Sequence, residues 1–127
     1  MPSLSVMIVD DDRDLAEGLA ELLEIHGYTV AVAGNGREAV ERFRDQDYDM
    51  TFMDVRMPVM NGVDSFFEIR KIKPEAKIVL MTGFKEEIVG KALDAGAMGL
   101  LNKPFGVEAL LDKIGQDRKS TRLNSSH

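Results

Sequence analysis

The side chains best suited to chemistry in this sequence are three carboxylates, an amine and a hydroxyl. Asp10 and Asp11 follow one short apolar run, and Asp54 follows another. Carboxylates that lie close together repel one another, so their ionised forms need a cation. An all-oxygen set suits Mg²⁺, with Mn²⁺ as the alternative ion. Lys103 would add a positive charge and Thr82 a hydroxyl donor, and a carboxylate nucleophile beside them would suit phosphoryl transfer.

The elements that must position these side chains can be predicted from hydrophobic periodicity. Short apolar runs alternate with segments whose apolar residues recur at helical spacing. The runs predicted as strands are residues 5–9, 29–32, 50–53, 77–81 and 99–101. Strict alternation of strands and helices predicts an α/β domain with a parallel sheet and helices on both faces. We expect a flavodoxin-like (βα)5 doubly wound fold, with a five-stranded parallel sheet in the order 2-1-3-4-5.

That strand order would bring the polar side chains together. Ligands of open α/β sheets bind at the carboxyl ends of the strands, near the point where the strand order reverses. The first and third strands are neighbours at that point, so Asp10, Asp11 and Asp54 should converge. Thr82 and Lys103, after the fourth and fifth strands, should flank them.

Other polar residues near the strand and helix ends are predicted to be structural. Asp12 is expected to cap the first helix, because Asp is favoured at that position. His26 precedes Gly27 at the end of the same helix, where a positive charge suits the helix dipole. Asn35 and Gly36 follow the second strand, at the edge of the sheet, and are typical of a turn.

Length, composition and charge exclude several classes of protein. The 127 residues fit one domain, and the absence of cysteine excludes disulfides and thiol chemistry. The net charge of −6 leaves no basic footprint for direct nucleic-acid binding. The apolar runs are too short to span a membrane, and the first residues do not resemble a secretion signal. The expected location is therefore the cytoplasm.

The C-terminal residues differ in character from the rest of the chain. Residues 117–127 show no apolar periodicity and resemble a translated sequencing-adapter read. We expect residues 1–116 to form the domain and residues 117–127 to be a disordered, non-native tail. On that interpretation the natural chain could continue beyond Gln116 into an output domain.

Taken together, the motifs resemble the receiver domain of two-component response regulators over about residues 5–115. The third strand and the loop after it carry the family's phosphoacceptor motif with its Pro and Gly. The other three motifs are an acidic pair, a switch hydroxyl and a Lys-Pro pair. The matching stretches are Val9-Asp10-Asp11-Asp12, Met53-Asp54-Val55-Arg56-Met57-Pro58-Val59-Met60-Asn61-Gly62, Leu80-Met81-Thr82-Gly83 and Asn102-Lys103-Pro104-Phe105.

The resemblance implies roles for these residues in a signalling domain, and not in a turnover enzyme. Asp54 would take a phosphoryl group from a sensor histidine kinase or a histidine phosphotransfer protein. Asp11 and Asp54 would bind Mg²⁺ directly, with the backbone carbonyl of Arg56, and Asp10 would act through a water. Lys103 would pair with Asp54 before the reaction and with the phosphate afterwards, and its bond to Pro104 is expected to be cis. The domain would be a monomer or a weak dimer linked to phosphorylation.

Two positions concern the steps after phosphorylation, which are the switch of the output surface and the loss of the phosphoryl group. Many receivers have Tyr or Phe where this chain has Leu100, so the usual coupling between Thr82 and an aromatic residue is altered. An aliphatic side chain could repack there instead. Phe84 lies two residues after Thr82, near the path of an attacking water, and we predict that its bulk slows loss of the phosphoryl group.

Three other functions compete with this interpretation. An Asp-nucleophile phosphohydrolase usually has a second Asp two residues after the nucleophile, whereas Asp54 is followed there by Arg56; Asp10 and Asp12 do have that spacing. A flavodoxin-like cofactor-binding protein would need a phosphate-binding loop after the first strand, where this chain has three acidic residues. A pseudo-receiver that only binds partners would not need the intact acidic set.

Overall fold

Ten elements alternate strictly along the chain. The computed structural model describes the backbone of residues 4–83 and 87–125, and the side chains of residues 4–83 and 89–117. The elements are β1 (Ser5–Val9), α1 (Arg13–Ile25), β2 (Thr29–Ala33), α2 (Gly36–Asp45), β3 (Met50–Asp54), α3 (Gly62–Ile72), β4 (Ile78–Thr82), α4 (Glu87–Asp94), β5 (Gly99–Asn102) and α5 (Val107–Ser125). Within these ranges no helix combines the length and apolar character needed to cross a membrane.

The five strands form one parallel sheet in the order β2-β1-β3-β4-β5, which confirms the predicted topology. Three strands end on a polar residue that the prediction placed just outside them: Asp54 in β3, Thr82 in β4 and Asn102 in β5. Asp54 pairs with Met81 across β3 and β4, and Thr82 pairs with Asn102 across β4 and β5. The ladder therefore holds the backbone of both Asp54 and Thr82.

Each face of the sheet carries its own buried core, because alternate strand residues point to opposite faces. On one face Met7, Val9 and Met53 pack with apolar side chains of α2, α3 and α4. On the other face Ile8 and Phe52 pack with side chains of α1 and α5. The helices thus lie on both faces, as expected for strands that are apolar on both sides.

Three helices begin at a polar residue that caps them. The side chains of Asp12, Asn35 and Asn61 each accept a hydrogen bond from the backbone N–H three residues further on, at 3.2, 2.9 and 2.9 Å. Each bond satisfies an N–H that has no partner within its helix. The predicted cap at Asp12 is confirmed, and Gly27 adopts a φ of 96° at the end of α1.

The last helix differs from the expectation for the C-terminal residues. The backbone of α5 is helical through Ser125, although residues 117–127 were expected to be disordered. Extending an existing helix adds one hydrogen bond per residue, and no Pro or Gly interrupts this stretch. Asp117 also forms an ion pair with Lys77, with Oδ2 2.9 Å from Nζ, so that residue contacts the domain. The foreign origin of residues 117–127 stays a prediction.

Gly62, the first residue of α3, is in close contact with the end of β3. A Cβ atom at this position would overlap the carbonyl oxygen of Asp54 and lie 2.9 Å from the Cα of Val55. These are backbone atoms, which cannot rotate away. We expect Gly62→Ala to lower the free energy of unfolding by about 2 kcal/mol, because an overpacked buried site forces the backbone to shift.

Gly18 provides a matched control, since it lies in α1 with nothing within 4 Å of its Cβ position. Gly18→Ala should raise the free energy of unfolding by about 0.5–1 kcal/mol through helix propensity. Urea unfolding of both variants measures the two effects. Equal stability of Gly62→Ala and the wild type would contradict the proposed contact.

Candidate functional site

Three carboxylates meet at the carboxyl ends of β1 and β3. One oxygen from each of Asp10, Asp11 and Asp54 lies within 4.8 Å of the other two. Asp10 and Asp54 are buried, whereas Asp11 is exposed. The convergence that the strand order predicts is therefore present.

Lys103, in the loop after β5, inserts its ammonium between the two buried carboxylates. Its Nζ lies 2.8 Å from Oδ2 of Asp10 and 3.3 Å from Oδ2 of Asp54. The sequence prediction named only Asp54 as its partner, but the shorter contact is to Asp10. The Lys103-Pro104 peptide bond is cis, as expected.

Thr82 lies at the carboxyl end of β4, and Leu100 lies on the neighbouring strand β5, two residues before its end. Thr82 is buried at the end of β4, and its carbonyl accepts a hydrogen bond of 2.8 Å from the backbone N–H of Lys103. Leu100 is partly buried, pairs with Leu80 across β4 and β5, and packs against the core beneath α3 and α4. Phe84, to which a slower loss of phosphate was attributed, lies outside the described residues.

The loop between β3 and α3 carries the residues that follow Asp54. The backbone N–H of Gly62 donates to the carbonyl of Val55 at 2.8 Å, which closes the base of the loop. Inside it, the N–H of Met60 donates to the carbonyl of Pro58 at 2.7 Å, and Val59 has a φ of 70°. A β-branched residue rarely adopts that conformation. The loop is thus a tight turn held at its base.

Burial and charge perturb the two ionisable groups at the centre. Burial, followed by the charge of Asp10, raises the pKa of Asp54 to about 6, against the opposing effects of Lys103 and of the Arg56 backbone N–H. Burial acts to lower the pKa of Lys103, but the hydrogen bond to Asp10 and the charges of both carboxylates outweigh it and raise that pKa. The ammonium therefore stays charged near neutral pH.

The donor set fits a hard divalent cation. Opposite ligands of an octahedral Mg²⁺ ion lie about 4.2 Å apart, close to the 4.8 Å limit within which the three oxygens lie. Carboxylate oxygens are the ligands that Mg²⁺ and Mn²⁺ prefer. Asp10, Asp11 and Asp54 could therefore hold such an ion.

Two residues outside the predicted set of site residues also lie close to the loop between β3 and α3. The hydroxyl of Ser65, fully buried on α3, donates a hydrogen bond of 3.0 Å to the carbonyl of Gly36 at the start of α2. Gly36 itself is buried against Met60. The Asn35-Gly36 pair suggested only a turn, and nothing in the sequence indicated its contact with the loop.

Comparison with known proteins gives a consistent result. A family model described as the response regulator receiver domain matches residues 6–115. The chemotaxis protein CheY of Thermotoga maritima is 38% identical over 116 residues, which cover 90% of this chain and 97% of that protein. Several other curated relatives are longer, and the chain spans between 26% and 52% of their length.

Solved structures agree with this match. A CheY-like receiver domain protein from Methanospirillum hungatei aligns with a TM-score of 0.90 at 26% identity, over 97% of this chain and 99% of its own. The response regulator TrrA of Thermotoga maritima, solved in complex with Mg²⁺ and beryllium fluoride, aligns with a TM-score of 0.79 at 33% identity, over 89% and 97%. The family match, the strand order and the acidic site coincide, and the chain belongs to the response regulator receiver domain family.

Proposed function

We propose that Asp54 accepts a phosphoryl group in a Mg²⁺-dependent reaction, and that this modification switches a surface of the domain. The donor would be a phosphohistidine of a sensor histidine kinase or of a histidine phosphotransfer protein. One observation carries the proposal: a buried carboxylate at a strand end lies beside two further carboxylates and 3.3 Å from an ammonium. That arrangement supplies a nucleophile, a cation site and a donor to a phosphoryl oxygen.

The metal would be held by Asp11, Asp54 and the backbone carbonyl of Arg56. Asp10 is proposed to act through a water, because both of its oxygens already accept hydrogen bonds. Oδ1 accepts from the backbone N–H of Asp12 at 3.0 Å, and Oδ2 accepts from Lys103 at 2.8 Å. When bound, Mg²⁺ would neutralise negative charge on the carboxylates and on the incoming phosphoryl group.

In the proposed step an oxygen of Asp54 attacks the phosphorus of phosphohistidine. The new O–P bond forms as the P–N bond breaks, and the electron pair of that bond stays on the histidine nitrogen, which solvent can protonate. The nucleophile must be ionised. With a pKa of about 6, Asp54 is largely ionised at pH 7 and above even without metal.

Lys103 and Thr82 are proposed to bind the oxygens of the transferred group. The ammonium already faces Asp54 and has three N–H donors. Its attraction to the phosphoryl group would weaken its contact with Asp10. Thr82 would donate its hydroxyl from the end of β4. A change at Thr82 could reach the outer surface through Leu100, whose partial burial leaves it able to repack, and phosphorylation would then shift the balance between two packings.

The structure does not favour a phosphohydrolase. Asp12 is placed as the cap of α1, accepting from the N–H of Leu15, and its side chain is exposed. Arg56 stands where a hydrolase of that class has its general acid. Neither the Asp10-to-Asp12 spacing nor the Asp54-to-Arg56 spacing therefore supplies the acid–base residue that repeated turnover requires.

The direct test is labelling with a small phosphodonor. Incubation with acetyl phosphate and Mg²⁺ should add one phosphoryl group per chain, measured by intact mass. Addition of excess EDTA should reduce labelling to background, because the carboxylates would then lack the cation that lets them approach a phosphate.

Two outcomes would count against the proposal. Equal labelling in EDTA would show that no metal is needed. Release of many equivalents of phosphate per chain from a small phosphomonoester, without a persistent adduct, would favour the hydrolase.

A further inference from the structure

The start of α2, at the edge of the sheet, is in close contact with the loop that leaves Asp54. A Cβ atom on Gly36 would overlap the carbonyl oxygen of Met60 and lie 3.1 Å from its carbonyl carbon. It would also lie 3.0 Å from the Cβ of Ser65. Among the glycines that the structure describes, Gly36 and Gly62 are the two at which an added Cβ would collide with backbone atoms.

These two contacts lie at different points of the loop. Gly62 lies against the carbonyl of Asp54, where the loop begins, and Gly36 lies against the carbonyl of Met60, two residues before α3 begins. The hydroxyl of Ser65 fixes the Gly36 carbonyl at 3.0 Å, so α2 and α3 are joined beside the loop. The conformation of the loop therefore depends on contacts with Gly36 and Ser65, neither of which is a proposed ligand of the site.

The loop between β3 and α3 has little conformational freedom to adjust to a new contact. The Gly62 to Val55 hydrogen bond closes it, and the turn at Val59 is already in a disfavoured conformation. A displacement of Met60 would therefore be passed along the short closed segment towards Arg56. Because strained backbone is kept only where surrounding packing enforces it, a change in that packing should alter the whole loop.

The structure assigns to Gly36, with Ser65, the role of positioning residues for the loop between β3 and α3, and through it for the Arg56 carbonyl. This inference rests on the proposed function, in which that carbonyl is a metal ligand. In this role Gly36 would contribute no side-chain ligand to the metal or to the phosphoryl group. Its effect comes from the absence of a side chain, which leaves room for the carbonyl group of Met60.

The test is the Gly36→Ala variant, with two readouts in solution NMR. In metal-free protein the backbone amide signals of Arg56 and Met60 should move relative to the wild type. In a Mg²⁺ titration the dissociation constant should rise about tenfold, as is typical when a residue that orients a metal ligand is changed. Helix propensity alone would make this substitution neutral or stabilising, so it cannot produce such a loss.

Gly34→Ala is the matched control, two residues earlier. The nearest atoms to a Cβ there are the ends of two side chains, those of Arg13 at 3.4 Å and Glu38 at 4.0 Å, and both can rotate away. Its Mg²⁺ affinity should stay within about twofold of the wild type. If Gly36→Ala is unfolded, Ser65→Ala carries the test, and its affinity should fall about threefold through loss of one buried hydrogen bond.

The outcomes separate this inference from the proposed function. Wild-type affinity and unchanged Arg56 and Met60 signals in Gly36→Ala, or wild-type affinity in Ser65→Ala where Gly36→Ala does not fold, would overturn the positioning role. A wild-type protein that binds no Mg²⁺ would overturn the proposed function, whereas the amide signals of metal-free Gly36→Ala would still decide whether Gly36 positions the loop.

Discussion

Replacing Asp54 by asparagine is expected to abolish phosphoryl labelling and, at neutral pH without metal, to make the fold more stable. The amide of the asparagine side chain would have nearly the same shape as the carboxylate but would lack its nucleophilic charge. Labelling by acetyl phosphate should fall by at least about 10³-fold, a loss of the size that enzymes show when their nucleophile is removed. Labelling of Asp54→Asn equal to that of the wild type would refute Asp54 as the acceptor.

The gain in stability follows from the raised pKa of Asp54. The pKa is about 6 in the folded protein and 3.8 in an unperturbed chain. Well below pH 4 the carboxyl is protonated in both states and favours neither. Between pH 4 and 6 the unfolded chain loses its proton first, so the free energy of unfolding falls as pH rises. Above pH 6 the folded protein holds a buried charge, at a cost of about 1–3 kcal/mol.

Urea unfolding in EDTA at pH 4 and pH 7.5 would measure this difference. Asp54→Asn and the wild type should be similar at the lower pH, and the variant should be more stable at the higher one. Asp94→Asn, on the exposed surface of α4, is the control; it should keep full labelling and stay within about 0.5 kcal/mol of the wild type. An equal difference at both pH values would contradict the electrostatic explanation.

The order of the elements could be predicted from the sequence because every strand is a short apolar run between helical segments. The ends of the strands were less predictable. The predicted third strand stops at Met53, whereas β3 includes Asp54. The predicted fourth strand covers residues 77–81, whereas β4 begins one residue later and ends at Thr82. Polarity marks which residues prefer water, but the ladder decides which backbone groups are paired.

The central residues of the site were predictable for the same topological reason. Parallel strands bring their carboxyl ends to one edge, so the residues that follow β1 and β3 had to meet. The details were not predictable. The nearer approach of Lys103 to Asp10 depends on the path of the loop after β5. The contact of Gly36 with Met60 joins positions far apart in the chain, and no local pattern encodes such a contact.

Replacing Lys103 by methionine is expected to change metal binding and phosphorylation in opposite directions. The ammonium lies within 3.3 Å of Asp10 and Asp54 and repels a second cation placed beside them. Its removal should strengthen Mg²⁺ binding, by about tenfold for a partly screened charge at this distance. Labelling by acetyl phosphate should slow by about 10²-fold, because a donor to the developing charge on the phosphoryl oxygens is lost.

Lys73→Met provides the control, because Lys73 also pairs with an aspartate, its Nζ lying 2.6 Å from Oδ1 of Asp47. That pair lies in the segments that precede β3 and β4, at the amino ends of the strands and away from the site, so neither quantity should change by more than about twofold. Calorimetric titration with Mg²⁺ and the initial rate of labelling measure the two effects. Tighter metal binding with slower labelling would assign the ammonium to the phosphoryl group. Weaker metal binding in Lys103→Met would instead show that its main task is to hold Asp10 in place, and the proposed contact with the phosphoryl group would then lose its support.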